Sequence, residues 1–163
     1  MAFLSITPLL QNAKAQQAFP PQPVISEIAA YEPSDYEWIK IYNSGTEPID
    51  LTGWKFFEDE TNHGLAVIRG DVVLPGGVSA IIANKADLYI TAHSDFTGTV
   101  LDSSWSSLKL EGEMIGLKNP AGELVESFIY PAIQGEGVLQ RIDTEAEAGV
   151  AENWRVVEAQ PNT

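Results

Sequence analysis

Glu37-Trp38-Ile39-Lys40-Ile41-Tyr42-Asn43-Ser44-Gly45, followed closely by Ile49-Asp50-Leu51-Thr52-Gly53-Trp54-Lys55-Phe56, is the stretch that decides the fold. Ile39 and Ile41 hold one parity of the first segment, and Trp38, Lys40 and Tyr42 hold the other. A period of two marks a strand with one apolar face, because successive side chains leave a pleated backbone on opposite sides. Glu37 and Asn43 are polar, as expected where a strand leaves a core. Asn43-Ser44-Gly45 supplies residues that tolerate left-handed backbone angles, so the passage reads as strand, tight turn, strand.

Outward from there the pattern repeats. Residues 24–31 read as a first strand, closed by Glu32-Pro33-Ser34-Asp35, where Pro33 bars a continuing central strand. Residues 49–58 read as one strand and residues 58–64 as an acidic loop. Short apolar pieces follow at 65–68 and 71–74, then a turn at Pro75-Gly76-Gly77. Residues 78–84 carry aliphatics on both faces, the mark of a central strand. Residues 85–93 form the one helical turn, with Asn84 as its cap. Further strands are expected at 100–101, 108–110, 114–118, 124–130 and 138–143. The pair at 114–118 and 124–130 makes a hairpin around Asn119-Pro120-Ala121-Gly122. Many short strands between glycine-rich turns predict an all-β, immunoglobulin-like β-sandwich. Ile39, Ile41, Leu51, Trp54, Ile81, Ile115 and Leu117 are its expected core.

The chain has 163 residues, enough for one domain with a substantial core, and 44% of them are hydrophobic, too many for a disordered chain. Nine cations against 23 carboxylates give a net charge of −14, and no two cations adjoin. Such a polyanion repels phosphate backbones and anionic lipid, so nucleic acid is not expected as a partner. There is no cysteine, which excludes disulfides, thiolate metal sites and cysteine nucleophiles.

The N-terminus reads as the end of a secretory signal. Phe3-Leu4-Ser5-Ile6-Thr7-Pro8-Leu9-Leu10 is apolar, and Ala13-Lys14-Ala15 has the small-x-small spacing of a signal-peptidase site. The other reading is a simple N-terminal arm, since the run has no basic flank and contains Pro8. The expected organisation is therefore 1–15 signal remnant, 16–23 linker, 24–157 β-sandwich and 158–163 the start of a further linker. The expected location is secreted or cell-surface, with no membrane insertion after signal removal.

Several ordered landmarks resemble the lamin tail domain, an immunoglobulin-like module of nuclear lamins and of many bacterial secreted proteins. They are Glu37-Trp38-Ile39-Lys40-Ile41-Tyr42-Asn43, Leu51-Thr52-Gly53-Trp54, Leu74-Pro75-Gly76-Gly77-Val78, Ser104-Trp105-Ser106-Ser107-Leu108 and the hairpin from Met114. Gly137-Val138-Leu139-Gln140-Arg141 and Asn153-Trp154 are similar to the end of bacterial copies. Val138-Leu139-Gln140 departs from the aromatic, Ser and Leu common there. The likeness extends from residue 24 to residue 163. It implies a β-sandwich without enzymatic activity, and it names no ligand, because one fold hosts many functions.

Two sets of residues are candidates for binding. Trp38 and Tyr42, on the polar parity of their strand, are candidates for an exposed aromatic stripe that contacts a protein or a cell-surface polymer, or a second copy of the chain. Asp59, Glu60 and Asn62, with Asp35, are candidates for calcium, since oxygen-rich loops at one end of a sandwich can hold that ion. No EF-hand or Gly-x-Ser-x-Gly pattern is present. His63 and His93 lack HExxH spacing and are expected as solvated loop residues. No other cofactor is expected. The sequence thus reads as a non-catalytic extracellular module that binds, spaces or anchors. The alternatives are a calcium-binding β-sandwich, or an accessory domain of a secreted hydrolase or nuclease.

Overall fold

A computed structural model describes residues 22–158. The expected signal remnant lies outside the described residues, as does most of each expected linker. In chain order the elements are β1 (Pro23–Ala29), β2 (Trp38–Asn43), β3 (Ile49–Asp50), β4 (Lys55–Glu58), β5 (Thr61–Gly64), β6 (Ala66–Arg69), β7 (Val73–Leu74), β8 (Ser79–Ala83), α1 (Ala86–Ala92), β9 (Thr99–Asp102), β10 (Met114–Lys118), β11 (Leu124–Ile129), β12 (Val138–Arg141) and β13 (Trp154–Val157). A seven-stranded sheet runs β13-β12-β1-β2-β8-β9-β6, a four-stranded sheet runs β11-β10-β4-β5, and β3 pairs with β7.

The core fills the space between the two larger sheets. Ile25, Ile28, Ile39, Ile41, Ile82 and Leu101 meet Phe56, Ile115, Leu117 and Phe128 there. The expected parity of β2 is correct for Ile39 and Ile41, which face inward, 0% and 1% exposed. The opposite face of the seven-stranded sheet carries a second apolar cluster under α1. It joins Ala29, Trp38, Ile81, Ala83 and Val100 to Ala86 and Tyr89. This second layer explains why residues 78–84 are aliphatic on both faces. β8 and β9 are parallel neighbours, and α1 belongs to the crossover that such a pair requires.

The turn after β2 does not return the chain beside β2. β2 pairs with β1 and β8, while β3 pairs with β7, so the turn carries the chain away from the seven-stranded sheet. Residues 49–58 are not one strand either. The Thr52 N–H donates to Asp50 Oδ1 at 2.8 Å and Trp54 N–H to the Leu51 carbonyl at 3.1 Å, turning the chain at Gly53, whose φ is +76°. Trp54 then sits half-buried at the margin of the core rather than within it.

Three further expectations are corrected. Residues 58–64 form the β4–β5 hairpin, with Asp59 and Glu60 at φ +42° and +64° as its two-residue turn. Residues 108–110 form no strand, although Leu108 is buried. Asn84 does not cap α1. Its side chain donates to the carbonyls of Ser34 and Trp105 and accepts from the Trp105 N–H, while Asp102 Oδ1 takes the Ala86 N–H at 2.7 Å.

Glu37 and Asn43 do not mark places where β2 leaves the core, for they are 1% and 0% exposed. Asn43 Nδ2 donates to the carbonyls of Glu47 and Leu74, and its Oδ1 accepts the Gly45 N–H. That set of bonds holds the turn against β7. A second buried polar link spans the sandwich. Arg141 on β12 donates to Glu126 on β11 at 2.6 Å and to the Ile25 carbonyl at 3.2 Å, and Glu126 accepts the Ile25 N–H at 2.5 Å.

Candidate functional site: an aromatic groove on the outer sheet face

α1 and the loop after it stand over the outer face of the seven-stranded sheet and leave a groove beside them. Its cavity is about 910 Å³, within the range of small-ligand and side-chain pockets. β2 contributes Trp38 and Lys40, β1 contributes Glu27, and the turn after β1 contributes Tyr31 and Glu32. Tyr36 comes from the short 3₁₀ turn at Ser34–Tyr36, and Tyr89, His93 and Phe96 come from α1 and its continuation. Val138, Val157 and Glu158 close the far side.

The rings hold one another in place. Tyr89 and His93 stack at 4.2 Å with 16° between planes, and Trp38 meets Tyr89 edge-to-face at 5.7 Å. Phe96 meets Tyr89 edge-to-face at 5.9 Å. Tyr89 and His93 are four residues apart and therefore share a helix face, which is why they can stack. The His93 ring Nδ1 also lies 3.0 Å from the Tyr89 carbonyl. Burial pushes the Tyr89 hydroxyl pKa up, and the charges of Glu27 and Asp95 add to that push. Burial does the same for Tyr31, reinforced by Glu32.

The candidates read from the sequence fall in different places. Trp38 lines the groove, but as its floor: it is 7% exposed, not part of an open stripe. Its indole nitrogen is buried without a hydrogen-bond partner. Tyr42 is half-buried on the same strand face and does not line the groove; its hydroxyl lies toward Gly77, at the other end of β2. The groove residues Tyr31, Tyr36, Tyr89, His93 and Phe96 went unread in the sequence, although positions 89, 93 and 96 have the spacing of a helix face.

The expected calcium ligands fall in two separate elements. Asp59 and Glu60 form the hairpin tip, Asn62 pairs with Phe57 in β5, and Asp35 lies in the 3₁₀ turn. Asp59 faces Lys109 Nζ at 3.4 Å. Among the described residues no group of three or more His, Asp or Glu side chains is placed to hold a metal ion. Neither histidine is a freely solvated loop residue; both are half-buried. His93 belongs to the ring stack, and His63 Nε2 lies 3.1 Å from Glu58 Oε2 with both side chains largely buried. Burial raises the Glu58 pKa, and the nearby charge of Glu113 raises it further.

Two packed sheets of largely antiparallel strands, with a small helix on the outer face of one, define an immunoglobulin-like β-sandwich. The chain belongs to the Lamin Tail Domain family, whose profile matches residues 16–132. The match is shorter than the likeness expected to residue 163, since β12 and β13 lie beyond it. No curated protein and no solved structure matches the chain significantly.

Proposed function

We propose that this chain is a non-catalytic module of a secreted or cell-surface protein, of the bacterial type within its family, and that it works by holding a protein or surface polymer in the groove. The observation that carries this reading is the groove itself. A set of mutually braced rings borders a cavity of about 910 Å³ on a sheet face away from the main core. Rigid aromatic side chains give much contact area at low entropic cost, which suits them to recognition. The apolar run ending at Ala13-Lys14-Ala15 supports export, and the net charge of −14 argues against a nucleic-acid partner.

Two measurements test the reading. N-terminal sequencing of natively produced protein is expected to begin at Gln16; a cytoplasmic product starting at Met1 would refute export. Retention of purified protein on intact cells or cell-wall fractions is expected to fall when Tyr36 and Tyr31 are both changed to alanine. Unchanged retention by a folded double variant would rule out the groove as the contact.

A further inference from the structure

Resting on the binding-module reading and deepening it, we propose that the groove receives a cationic side chain, a lysine or arginine presented by a basic segment of another protein. The ring faces supply one half of the argument. Tyr31, Tyr36 and Phe96 border the cavity as partly exposed rings over the buried Trp38 and Tyr89, and the negative faces of aromatic rings attract ammonium and guanidinium groups. Phe96 already engages one cation: the Arg69 guanidinium lies 5.6 Å from its ring centre.

The charges supply the other half. Four carboxylates line the groove, Glu27, Glu32, Asp95 and Glu158, against Lys40 as the lining cation. Lys40 Nζ is 2.7 Å from Glu27 and is balanced by it. Among the described residues Glu32, Asp95 and Glu158 form no ion pair, so their negative charge borders the rings, while the Arg69 guanidinium lies against Phe96. A cation entering between rings and carboxylates meets attraction from both, in a site shielded from water on its sheet side. The chain's net charge of −14 would draw a basic segment toward any part of the surface. The groove adds a place where such a charge is also desolvated by rings. A neutral glycan would use a flat, open ring as a platform, whereas Trp38 is 7% exposed and edge-on to Tyr89 at 72°.

The test is calorimetric titration of the full chain with an uncharged-ended lysine–glycine peptide. The same peptide acetylated on every lysine Nε and a neutral chito-oligosaccharide serve as comparators. The lysine peptide is expected to bind. Acetylation keeps the stem and removes the charge, and is expected to abolish the heat. The double change Glu32→Gln, Asp95→Asn is expected to weaken binding about tenfold. The same charge removal in the distant acidic loop, Glu145→Gln with Glu147→Gln, should change it by less than about twofold. Equal weakening by both pairs would show a general field effect and overturn the inference. So would equal binding of the acetylated peptide, binding of the glycan unaffected by the Glu32 and Asp95 changes, or no binding of the lysine peptide. If one of these occurs while the Tyr31 and Tyr36 variant still loses surface retention, only the ligand class is wrong. If retention is also unchanged, the groove reading falls with it.

Discussion

The Glu37 carboxylate accepts the indole N–H of Trp105 at 2.6 Å, joining residues 68 positions apart. The same carboxylate accepts from Ser107 Oγ at 2.9 Å and from the Leu108 N–H at 3.0 Å. A buried acid at the start of β2 thus fastens an irregular segment that has no strand partner of its own. Asn84 fastens the same segment from the other side through the Trp105 backbone.

Burial raises the pKa of Glu37 and of Glu58 above the ordinary glutamate value of 4.5. The folded state therefore binds these protons more tightly than the unfolded chain does. Stability is fully present below the ordinary value and declines as pH rises through the raised folded values. Asp50, lowered by its bonds to Thr52, acts in the opposite sense from an exposed position. The melting temperature is expected to rise on going from about pH 7.5 to about pH 5, and the Glu37→Gln variant to show a flatter slope. A wild-type melting temperature that falls steadily over this interval would contradict the assignment.

Arg141 and Glu126 form a buried pair, with side chains 4% and 9% exposed. Removing one partner strands the other charge. Arg141→Leu should cost about 3–5 kcal/mol in urea unfolding, and adding Glu126→Leu should restore much of it. If the single and double variants are equally unstable, the pair matters for packing rather than for charge.

Glu60 holds a φ of +64°, a conformation that favours glycine, at the tip of the β4–β5 hairpin. Glu60→Gly is expected to stabilise the domain by about 0.5–1 kcal/mol. Thermal melting decides it, and a lowered melting temperature would mean that the Glu60 side chain has a role the turn geometry does not require.

Trp38 and Tyr36 separate stability from recognition. Trp38→Ala should cost about 3–5 kcal/mol, because the ring is floor as well as wall. Tyr36 is 42% exposed, and its change to alanine should alter stability by no more than about 0.5 kcal/mol. Similar losses from the two would merge the groove with the core.

What the sequence showed was what local periodicity can carry. Ile39, Ile41, Ile115 and Leu117 are buried where alternation put them, and the 114–118 and 124–130 hairpin pairs as expected. Trp38 and Glu37 were misread for one reason. Their burial depends on α1 and on residues 105–108, which reach them from far along the chain, and parity within β2 cannot register that. The acidic run at 58–60 looked like a loop because Asp59 and Glu60 lack the Asn-Gly signature of the turn they adopt. The groove was hidden because its rings come from two stretches far apart in sequence, residues 31–38 and residues 89–96, which only the fold brings together.

The position of β1 between β2 and β12 bears on how the chain reaches this state. Glu27 pairs with Lys40 on one side and with Gln140 on the other, and the second partner is 113 residues away. During synthesis β1 can gain its β2 neighbour early, but its other edge stays open until the last quarter of the chain has emerged. Contacts this distant in sequence make folding slow and late. A chain stopped after residue 132, where the family match ends, should leave that edge unpaired and Glu126 without Arg141, and should show no cooperative melting; a sharp melt would show that the last two strands are dispensable. A domain whose sheet is closed by its last strands remains incomplete while its first strands are already made, and under the export proposed above that is the interval in which the chain would cross a membrane.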